Sequence, residues 1–223
     1  MKKSNFFWTA CIILVFLFST SLSFAQLEVG TRIPATYIAV TGVGESDEGI
    51  PPDPYETFSY DLALQQAGIE NFNVMYYTSV LPIESYEVPI EKVKDKFHHG
   101  AVLEAIMAKA GGVKGDTVVA GVGRVWAVNK KGVKIGGFAA EYERIYPCQK
   151  IDPKNAKQDA VMQLTKSLKH ELSIRGLKQT GEMKFNIATL NITKKYGISL
   201  AALGFLDFIY PNSLPASDKQ IAK

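Results

Sequence analysis

The segment NFNVMYYTSVLPIES at residues 71–85 contains the most informative pair of residues in the chain, Thr78 and Ser79. An apolar, aromatic and β-branched run leads up to this pair, and a Leu-Pro dipeptide at 81–82 stops it. Residues of the first kind favour strands, and proline favours the turns that end them. The pattern therefore predicts a strand over residues 72–79 that runs into a tight turn, with the Ser79 hydroxyl beside the carbonyl group of Thr78.

The first 25 residues have the pattern of a secretory signal peptide. Two lysines follow Met1, residues 6–18 are apolar apart from one threonine, and SFA at 23–25 places small residues at the end. The apolar run is shorter than the roughly 20 residues that a spanning helix needs, and an uncleaved membrane anchor is the alternative. The leader predicts export, with a periplasmic location, and a cytoplasmic location is the alternative.

Residues 26–223 are expected to form a single domain with a sizeable core, ending in a polar tail from about residue 211. The leader holds two of the 25 basic residues and no acidic one, so 23 basic and 22 acidic residues remain, a net charge of +1. No stripe of Lys and Arg is present, so nucleic acid is not a predicted partner. Cys148 is the one cysteine left, which excludes a disulfide within the mature chain. No stable membrane span is predicted after leader removal.

Apolar spacing and turn residues predict a mixed α and β chain. Up to residue 112 the predicted elements are a strand at 36–41 entering a glycine turn at 42–44, a loop at 45–54, a helix at 55–67 ended by Gly68, and a helix at 100–110 ended by two glycines. Beyond it they are paired strands at 118–128 and 136–142 around a turn at 129–132, a helix at 155–175 ended by Gly176, a half-buried strand at 183–193 and a central strand at 199–205.

Three stretches of the chain form a pattern that is specific in its order and spacing. They are GTRIP with GVGESDEGIPPDPYETFSYDLALQQAGIENFN up to residue 73, YYTSVLP at 76–82, and IGGFAAEYE at 135–143. FHHGAVLEAIMA, SLKHELSIR and ALGFL continue the pattern. Together they resemble pyruvoyl-dependent arginine decarboxylases of the bacterial, agmatine-forming type, over nearly all of residues 29–206. The signal-like leader departs from that family, which bears on the compartment rather than on the chemistry.

The resemblance implies an architecture and an assembly. The expected fold is an α/β sandwich of the αββα type, in which two packed sheets are flanked by helices. The chain is expected to be a proenzyme that cuts itself into a β chain, residues 26–78, and an α chain, residues 79–223. By analogy with the family, three αβ units are expected to form a trimer.

The resemblance also implies a chemistry for the Thr78–Ser79 bond. Ser79 Oγ would attack the carbonyl carbon of Thr78, and elimination and hydrolysis would leave a covalent pyruvoyl group at position 79. The α-amine of L-arginine would form an imine with that group, and loss of CO2 would yield agmatine, which makes the enzyme a carbon–carbon lyase that needs neither a metal nor pyridoxal phosphate. Apart from the resemblance, a plain role for Ser79 as a turn cap is the favoured interpretation.

Three further residues match family positions with assigned roles. Glu141 matches the proton donor, and partial burial after an apolar, glycine-rich run is expected to raise its pKa. Asn73 matches a residue of processing and of the active site. A straight strand would put Asn73 roughly 20 Å from Ser79, so direct contact needs a sharp bend, or the two residues serve different copies of the site across a subunit boundary. The resemblance favours the second arrangement, because active sites of that family lie between subunits. Asp61 matches the acid that receives the substrate guanidinium through paired hydrogen bonds.

Plain alternatives stay open for these residues: a strand-end acid, a strand-end amide and an exposed helical acid, respectively. Glu45 and Asp47 are looser candidates for the same anionic pocket. The three histidines lack partners at metal-ligand spacing, so no metal site is predicted. Two other functions also stay open, a pyruvoyl decarboxylase of another amino acid such as histidine or ornithine, and an uncleaved, inactive binding protein with the same fold.

Overall fold

The computed structural model describes residues 32–210, so the predicted leader at 1–25 and the tail from 211 lie outside the described residues. The strands are β1 (Ile33–Pro34), β2 (Thr36–Ser46), β3 (Asn73–Tyr76), β4 (Val80–Leu81), β5 (Tyr86–Glu87), β6 (Val102–Val113), β7 (Thr117–Val128), β8 (Lys134–Tyr146), β9 (Lys178–Asn191), β10 (Tyr196–Phe205) and β11 (Phe208–Ile209). The helices are α1 (Phe58–Ala67) and α2 (Pro153–Ile174), with short 3-10 turns at Ile90–Lys92 and Lys94–Lys96.

Most of the strands belong to two sheets. The first has five strands in the order β3-β6-β10-β2-β5, and the second has four in the order β4-β8-β7-β9. In the first sheet β6, β10 and β2 are antiparallel, whereas the short edge strands β3 and β5 run parallel to their neighbours. The second sheet is antiparallel throughout, and β1 pairs separately with β11.

The two sheets pack face to face, with one helix on each outer side. The core between the sheets includes Tyr37 and Phe205, whose rings meet edge to face. α1 covers the outer face of the five-stranded sheet with its buried alanines, and α2 covers the four-stranded sheet with Leu164, Leu168 and Leu172. The expected α/β sandwich is therefore the observed architecture.

Both long helices end as their sequences predict. Gly68 adopts the left-handed conformation, with φ of 74°, directly after α1. The Asp152 side chain accepts the N–H of Lys154 at 2.8 Å at the start of α2, and Gly176 has φ of 63° just beyond its end. These are the standard N-cap and glycine C-terminal signals. The helices predicted at 55–67 and 155–175 are confirmed with small shifts at their N-terminal ends.

The predicted strands in the second half of the chain are also confirmed in position. β7 and β8 form the expected antiparallel hairpin, although β8 begins earlier and ends later than predicted. β9 occupies the predicted half-buried strand and begins earlier. β10, predicted as a central strand, is the middle strand of the five-stranded sheet and is buried along nearly its whole length.

The helix predicted at 100–110 is wrong, because this segment is the long strand β6. Its residues have high helix propensity, which made a helix the natural interpretation. β6 lies between β3 and β10, however, with one face toward α1 and the other toward the second sheet. A strand buried on both faces reads as a continuous apolar run, so tertiary packing overrides local propensity here.

The glycine turn predicted at 42–44 is also wrong, because β2 continues through these residues to Ser46 and the predicted loop begins only after it. A Cβ atom on Gly42 would lie 2.0 Å from the carbonyl oxygen of Ala63, and one on Gly44 would lie 2.1 Å from that of Ser59. Both glycines therefore allow the backbone of α1 to approach the sheet closely.

Neither α1 nor α2, nor any shorter helix within residues 32–210, has the length and apolar character needed to cross a bilayer.

Candidate active site

β3 and β4 belong to different sheets, and the residues between them carry the chain across the gap. Tyr77 is held on the first sheet, where its N–H donates to the Ala105 carbonyl at 2.8 Å. Ser79 is held on the second, where its carbonyl accepts the N–H of Ala139 at 2.8 Å. The continuous strand predicted across this segment is therefore wrong in its second half, since the peptide bond between Thr78 and Ser79 lies at the crossing point between the sheets.

Ser79 and Glu141 are brought together at this crossing. Val80 lies opposite Phe138 in the antiparallel pairing of β4 with β8, so residues before Val80 run alongside residues after Phe138. As a result Ser79 Oγ lies 3.5 Å from Glu141 Oε2. The side chain of Ser79 is half-buried and that of Thr78 is exposed. The predicted cofactor precursor and the predicted proton donor are thus neighbours, although they are far apart along the chain.

The residues after Glu141 on β8 fix the strand on both of its faces. The Tyr142 hydroxyl donates to Asp159 of α2 at 2.6 Å, which anchors one face of the strand to the helix. Glu143, on the same face as Glu141, accepts the backbone N–H of Lys109 at 2.9 Å. This bond joins β8 to a part of β6 that lies beyond the end of β3. Glu141 is therefore presented from a strand with little freedom to rotate.

The surroundings of Glu141 favour its protonated form. Its side chain is exposed at the surface of the single chain, yet protein atoms crowd its carboxyl group, and this desolvation raises its pKa. The hydrogen bonds from its own backbone and from Ser79 act in the opposite direction, and the nearby charge of Glu143 raises the pKa further. The net pKa is raised, in the direction expected from the sequence.

A cleft of about 440 Å³ opens beside the crossing. Its lining consists of Arg32, Pro34, Tyr76, Tyr77, Thr78 and Val80. Glu104 of β6 is only 6% exposed. It accepts a hydrogen bond from the Tyr77 hydroxyl and forms an ion pair with Arg32. The sequence analysis missed the group of Tyr77, Glu104 and Arg32, because nothing in the local sequence indicates that Glu104 is buried. The one signal in the sequence is that all three residues lie in segments that resemble the family.

Asn73 lies at the far end of β3 from Ser79 and does not contact it in this chain. Its side-chain amide donates to the Gly100 carbonyl at 2.9 Å, in the loop that precedes β6. The backbone N–H of Asn73 donates to Ala101 at 2.8 Å, so the residue is bound to the same loop twice. The side chain is exposed, and its service to a site in another copy of the chain stays a prediction.

Asp61 is exposed on α1, on the outer face of the five-stranded sheet. Its side chain makes no hydrogen bond or ion pair within residues 32–210, so the single chain does not join it to Ser79 or Glu141. The adjacent Tyr60 is linked to the crossing, since burial and then a hydrogen bond to Tyr76 raise the pKa of its hydroxyl. Asp61 therefore lies one residue from a side chain that reaches the segment before Thr78.

The looser acidic candidates have structural partners. Glu45 accepts the Thr193 hydroxyl at 3.1 Å and the N–H of Lys194 at 3.2 Å. Asp47 accepts the N–H of Lys195 at 3.1 Å. Both carboxylates thus brace the loop between β9 and β10. Over residues 32–210, no group of three or more His, Cys, Asp or Glu side chains is arranged to hold a metal ion.

Known proteins match the chain over most of its length. The family model described as pyruvoyl-dependent arginine decarboxylase (PvlArgDC) matches residues 36–210. The pyruvoyl-dependent arginine decarboxylase AaxB of Chlamydia trachomatis serovar L2 is 47% identical over 192 residues, which cover 84% of this chain and 97% of that protein. AaxB of Chlamydia abortus is 49% identical over 184 residues, covering 80% and 94%.

A more distant archaeal relative matches part of the same region. Pyruvoyl-dependent arginine decarboxylase 2 of Archaeoglobus fulgidus is 32% identical over 111 residues, which cover 49% of this chain and 64% of that protein. The sandwich, the pairing of Ser79 with Glu141 and the match over residues 36–210 agree with one another. The chain therefore belongs to the pyruvoyl-dependent arginine decarboxylase family.

Proposed function

We propose that the chain is a self-processing pyruvoyl-dependent decarboxylase that converts L-arginine to agmatine and CO2. The observation that carries this proposal is the contact between Ser79 Oγ and Glu141 Oε2 at 3.5 Å, on the segment that crosses between the sheets. Membership of the family supplies the chemistry, and the relatives named for arginine supply the substrate.

Self-processing begins at Ser79, and its steps balance without any external oxidant. Ser79 Oγ bonds to the Thr78 carbonyl carbon, the C–N bond breaks, and the hydroxyl proton passes to the nitrogen, which leaves an ester. Loss of the Cα proton of residue 79 then breaks the Cβ–Oγ bond and releases the Thr78 carboxylate. Addition of one water and release of one ammonia convert the dehydroalanine at position 79 into the pyruvoyl group.

The surroundings of residue 79 suit such a group. Its carbonyl is already held by the Ala139 N–H at 2.8 Å, and its Cβ substituent points toward a carboxyl group. A pyruvoyl group supplies a ketone that takes the substrate amine and accepts the electrons of the breaking C–C bond. The chain's own residues must then orient the substrate, exclude competing reactions and deliver a proton.

Glu141 delivers that proton in this proposal. A raised pKa lets the carboxyl group of Glu141 keep its proton to higher pH than an ordinary glutamate, and this group lies 3.5 Å from the side-chain oxygen of Ser79. Each turnover consumes one proton, because the departing CO2 is replaced by hydrogen. Activity should therefore fall as the pH rises through the pKa of Glu141.

Asp61 and Asn73 complete the site across a subunit boundary in a trimer. An exposed carboxylate such as Asp61 can receive a guanidinium group through two parallel hydrogen bonds. Large apolar side chains around the crossing support an assembly, since Met75, Tyr76 and Val80 are 57%, 53% and 58% exposed in the single chain. A patch of this kind commonly marks a contact surface.

The leader at residues 1–25 supports the further proposal that the enzyme is exported to the periplasm. The mass of the β chain tests this directly in the native host or a bacterial host. A β chain that begins at Gln26 is expected. A β chain that retains Met1, in protein recovered from the cytoplasm, would overturn the export proposal.

Intact-mass measurement of denatured protein tests self-processing. We expect two polypeptides, one ending at Thr78 and one beginning at position 79, the second lighter by one ammonia than a chain that starts with serine. Ser79→Ala should give one unbroken, inactive polypeptide. Ser167→Ala, which changes an exposed serine on α2, should be processed as wild type. Active wild-type protein that proves to be unbroken, with an intact serine at position 79, would overturn the proposal.

Turnover of arginine, ornithine and histidine by the processed enzyme tests the substrate. Release of CO2 and of the amine product should be fastest with arginine. Turnover of ornithine or histidine without turnover of arginine would leave the pyruvoyl chemistry standing and overturn the choice of substrate. Processed protein with no turnover of any of the three would overturn the decarboxylase function.

A further inference from the structure

We propose that Tyr77, Glu104 and Arg32 form a positioning network that holds the Thr78–Ser79 peptide bond for self-cleavage. The inference rests on the proposed function, because it concerns the rate at which that bond is cut. None of the three residues takes part in bond making or breaking. Their effect is exerted through Tyr77, which immediately precedes Thr78.

The segment before the cleavage site is restrained at three points on Tyr77. The backbone N–H is bound to the Ala105 carbonyl at 2.8 Å. The ring packs against Phe205 in the core between the sheets, with centroids 5.7 Å apart. The hydroxyl donates to Glu104 Oε2. Backbone, ring and hydroxyl thus fix Tyr77 in a single orientation.

The segment after the cleavage site is restrained independently. The Ser79 carbonyl is bound to the Ala139 N–H, and Val80 and Leu81 pair with β8. The exposed Thr78 is therefore the one residue between two fixed points that belong to different sheets. Holding both reacting groups in place in this way lowers the entropic cost of bringing Oγ to the carbonyl carbon.

Glu104 is the element of the network that needs an explanation. A carboxylate that is 6% exposed is costly to bury, and it is retained only where charged or hydrogen-bonding partners compensate. Its two oxygens are both used, one by Tyr77 and the other by Arg32. A hydrogen bond to a charged acceptor is shorter and stronger than one between neutral groups, which suits an anchor for Tyr77.

Arg32 places one member of the network beside the cleavage site. Arg32 and Thr78 line the same cleft, and the guanidinium of Arg32 also lies 4.6 Å from the centre of the Phe208 ring. That ring belongs to β11, which pairs with β1 directly after Arg32. Arg32 therefore pairs with the buried carboxylate of Glu104 from the cleft that also contains Thr78, the residue before the proposed cleavage site.

The rate of self-cleavage after synchronised synthesis tests the proposal. Full-length chains are labelled briefly in a cell-free translation, and the unbroken fraction is followed with time on denaturing gels. We expect Tyr77→Phe, which removes one hydroxyl, and Glu104→Gln to lengthen the half-time of scission by roughly tenfold. Tyr86→Phe is the matched control, since Tyr86 is 57% exposed and makes no side-chain hydrogen bond within the described part of the chain. Its half-time should stay within about twofold of wild type.

A second measurement separates positioning from stability. Each substitution is also made in the unbroken Ser79→Ala chain, and its melting temperature is compared with that of Ser79→Ala alone. A loss of a few degrees at most is expected for Tyr77→Phe. A slow variant whose Ser79→Ala form is largely unfolded at the assay temperature would make the network a stability feature and overturn the inference.

The outcomes for the two proposals are distinct. If wild type is never cut, the proposed function fails. If wild type is cut and Tyr77→Phe is cut at the same rate, the proposed function stands and this inference is overturned.

Discussion

Glu141 and Glu143 lie two residues apart on the same face of β8 and have different tasks. Glu141 faces Ser79 at 3.5 Å, whereas Glu143 binds the backbone of Lys109 at 2.9 Å. The charge of Glu143 adds to the desolvation that raises the pKa of Glu141. Glu143 therefore raises the pKa of Glu141 through its charge while its own carboxylate is bound to the backbone of β6.

Glu143→Gln should shift the pH dependence of turnover. Glutamine keeps an acceptor for the Lys109 N–H but removes the charge, so the pKa of Glu141 should fall. In the proposed mechanism Glu141 acts in its protonated form, so the alkaline fall in kcat should move to lower pH. The direction follows from removing the repulsion of a second negative charge two residues away on the same strand face.

The rate of CO2 release across the pH range measures this shift. Glu182→Gln, at an exposed position on β9, is the matched control and should leave the profile unchanged. Identical profiles for Glu143→Gln and Glu182→Gln would contradict the tuning role.

Ser79 and Glu141 could be selected as candidates from the sequence because their segments resemble a known family, and the structure places the two side chains next to each other. Tyr77, Glu104 and Arg32 could not, because their relation depends on pairing between distant parts of the chain. The sequence shows a glutamate at position 104, and only the packing of β6 between α1 and the second sheet shows that it is buried.

Close packing of α1 on β2 explains why glycines occupy positions 42 and 44, where the sequence predicts a turn. A Cβ on Gly42 would lie 2.0 Å from the Ala63 carbonyl oxygen, and backbone atoms of a helix cannot move aside individually. The same spacing of small residues appears in the sequence as GVG, which is also typical of turns. Local composition does not distinguish the two uses.

Gly42→Ala should destabilise the fold by about 2–3 kcal/mol, since α1 must shift from the sheet to make room. Gly121→Ala is the matched control on β7. There the nearest atom to a new Cβ would be Ile187 Cγ1 at 3.1 Å, and a flexible side chain can yield. Urea unfolding of both variants in the unbroken Ser79→Ala chain measures the difference. Equal losses would argue against close helix packing as the reason for glycine at position 42.

An ion pair joins the two sheets at the edge opposite β3. Arg124 of β7 is 4% exposed and donates to Glu87 of β5 at 2.7 Å. Lys184 of β9 binds the same carboxylate at 3.1 Å. Partial burial alone would raise the pKa of Glu87, but these two cations outweigh it and hold the pKa below its ordinary value of 4.5.

Glu87→Gln should lower stability at neutral pH by about 1–2 kcal/mol, because it leaves a buried guanidinium with a weaker partner. A carboxyl group with a depressed pKa stabilises the fold above its unfolded pKa, and this contribution is lost as the pH falls through the folded value. The difference between wild type and variant should therefore shrink as the pH is lowered below about 4.5.

Urea unfolding at pH 7 and at acidic pH measures this difference, again in the unbroken Ser79→Ala chain. Glu91→Gln, in the exposed 3-10 turn Ile90–Lys92, should show no such pH dependence. A constant difference between Glu87→Gln and its parent at all pH values would contradict the role of the ion pair.

The layered architecture could be anticipated from the resemblance to a known family, and the positions of α2, β9 and β10 could be anticipated from their periodicity or apolar runs. The order of strands within the sheets could not, because it depends on which distant segments pair. The helix predicted at 100–110 shows the limit of composition as a guide. This segment has helix-favouring residues, yet it forms the buried strand β6 between β3 and β10.

The strand order has a consequence for what remains after the proposed cut. β2 belongs to the portion before residue 79, yet it is inserted between β10 and β5, which both belong to the portion after it. Strands of the two products alternate within one sheet, so dilution alone cannot separate the products. Under native conditions the nicked enzyme should migrate as one particle, and fragments expressed separately would have to fold together rather than dock as finished pieces.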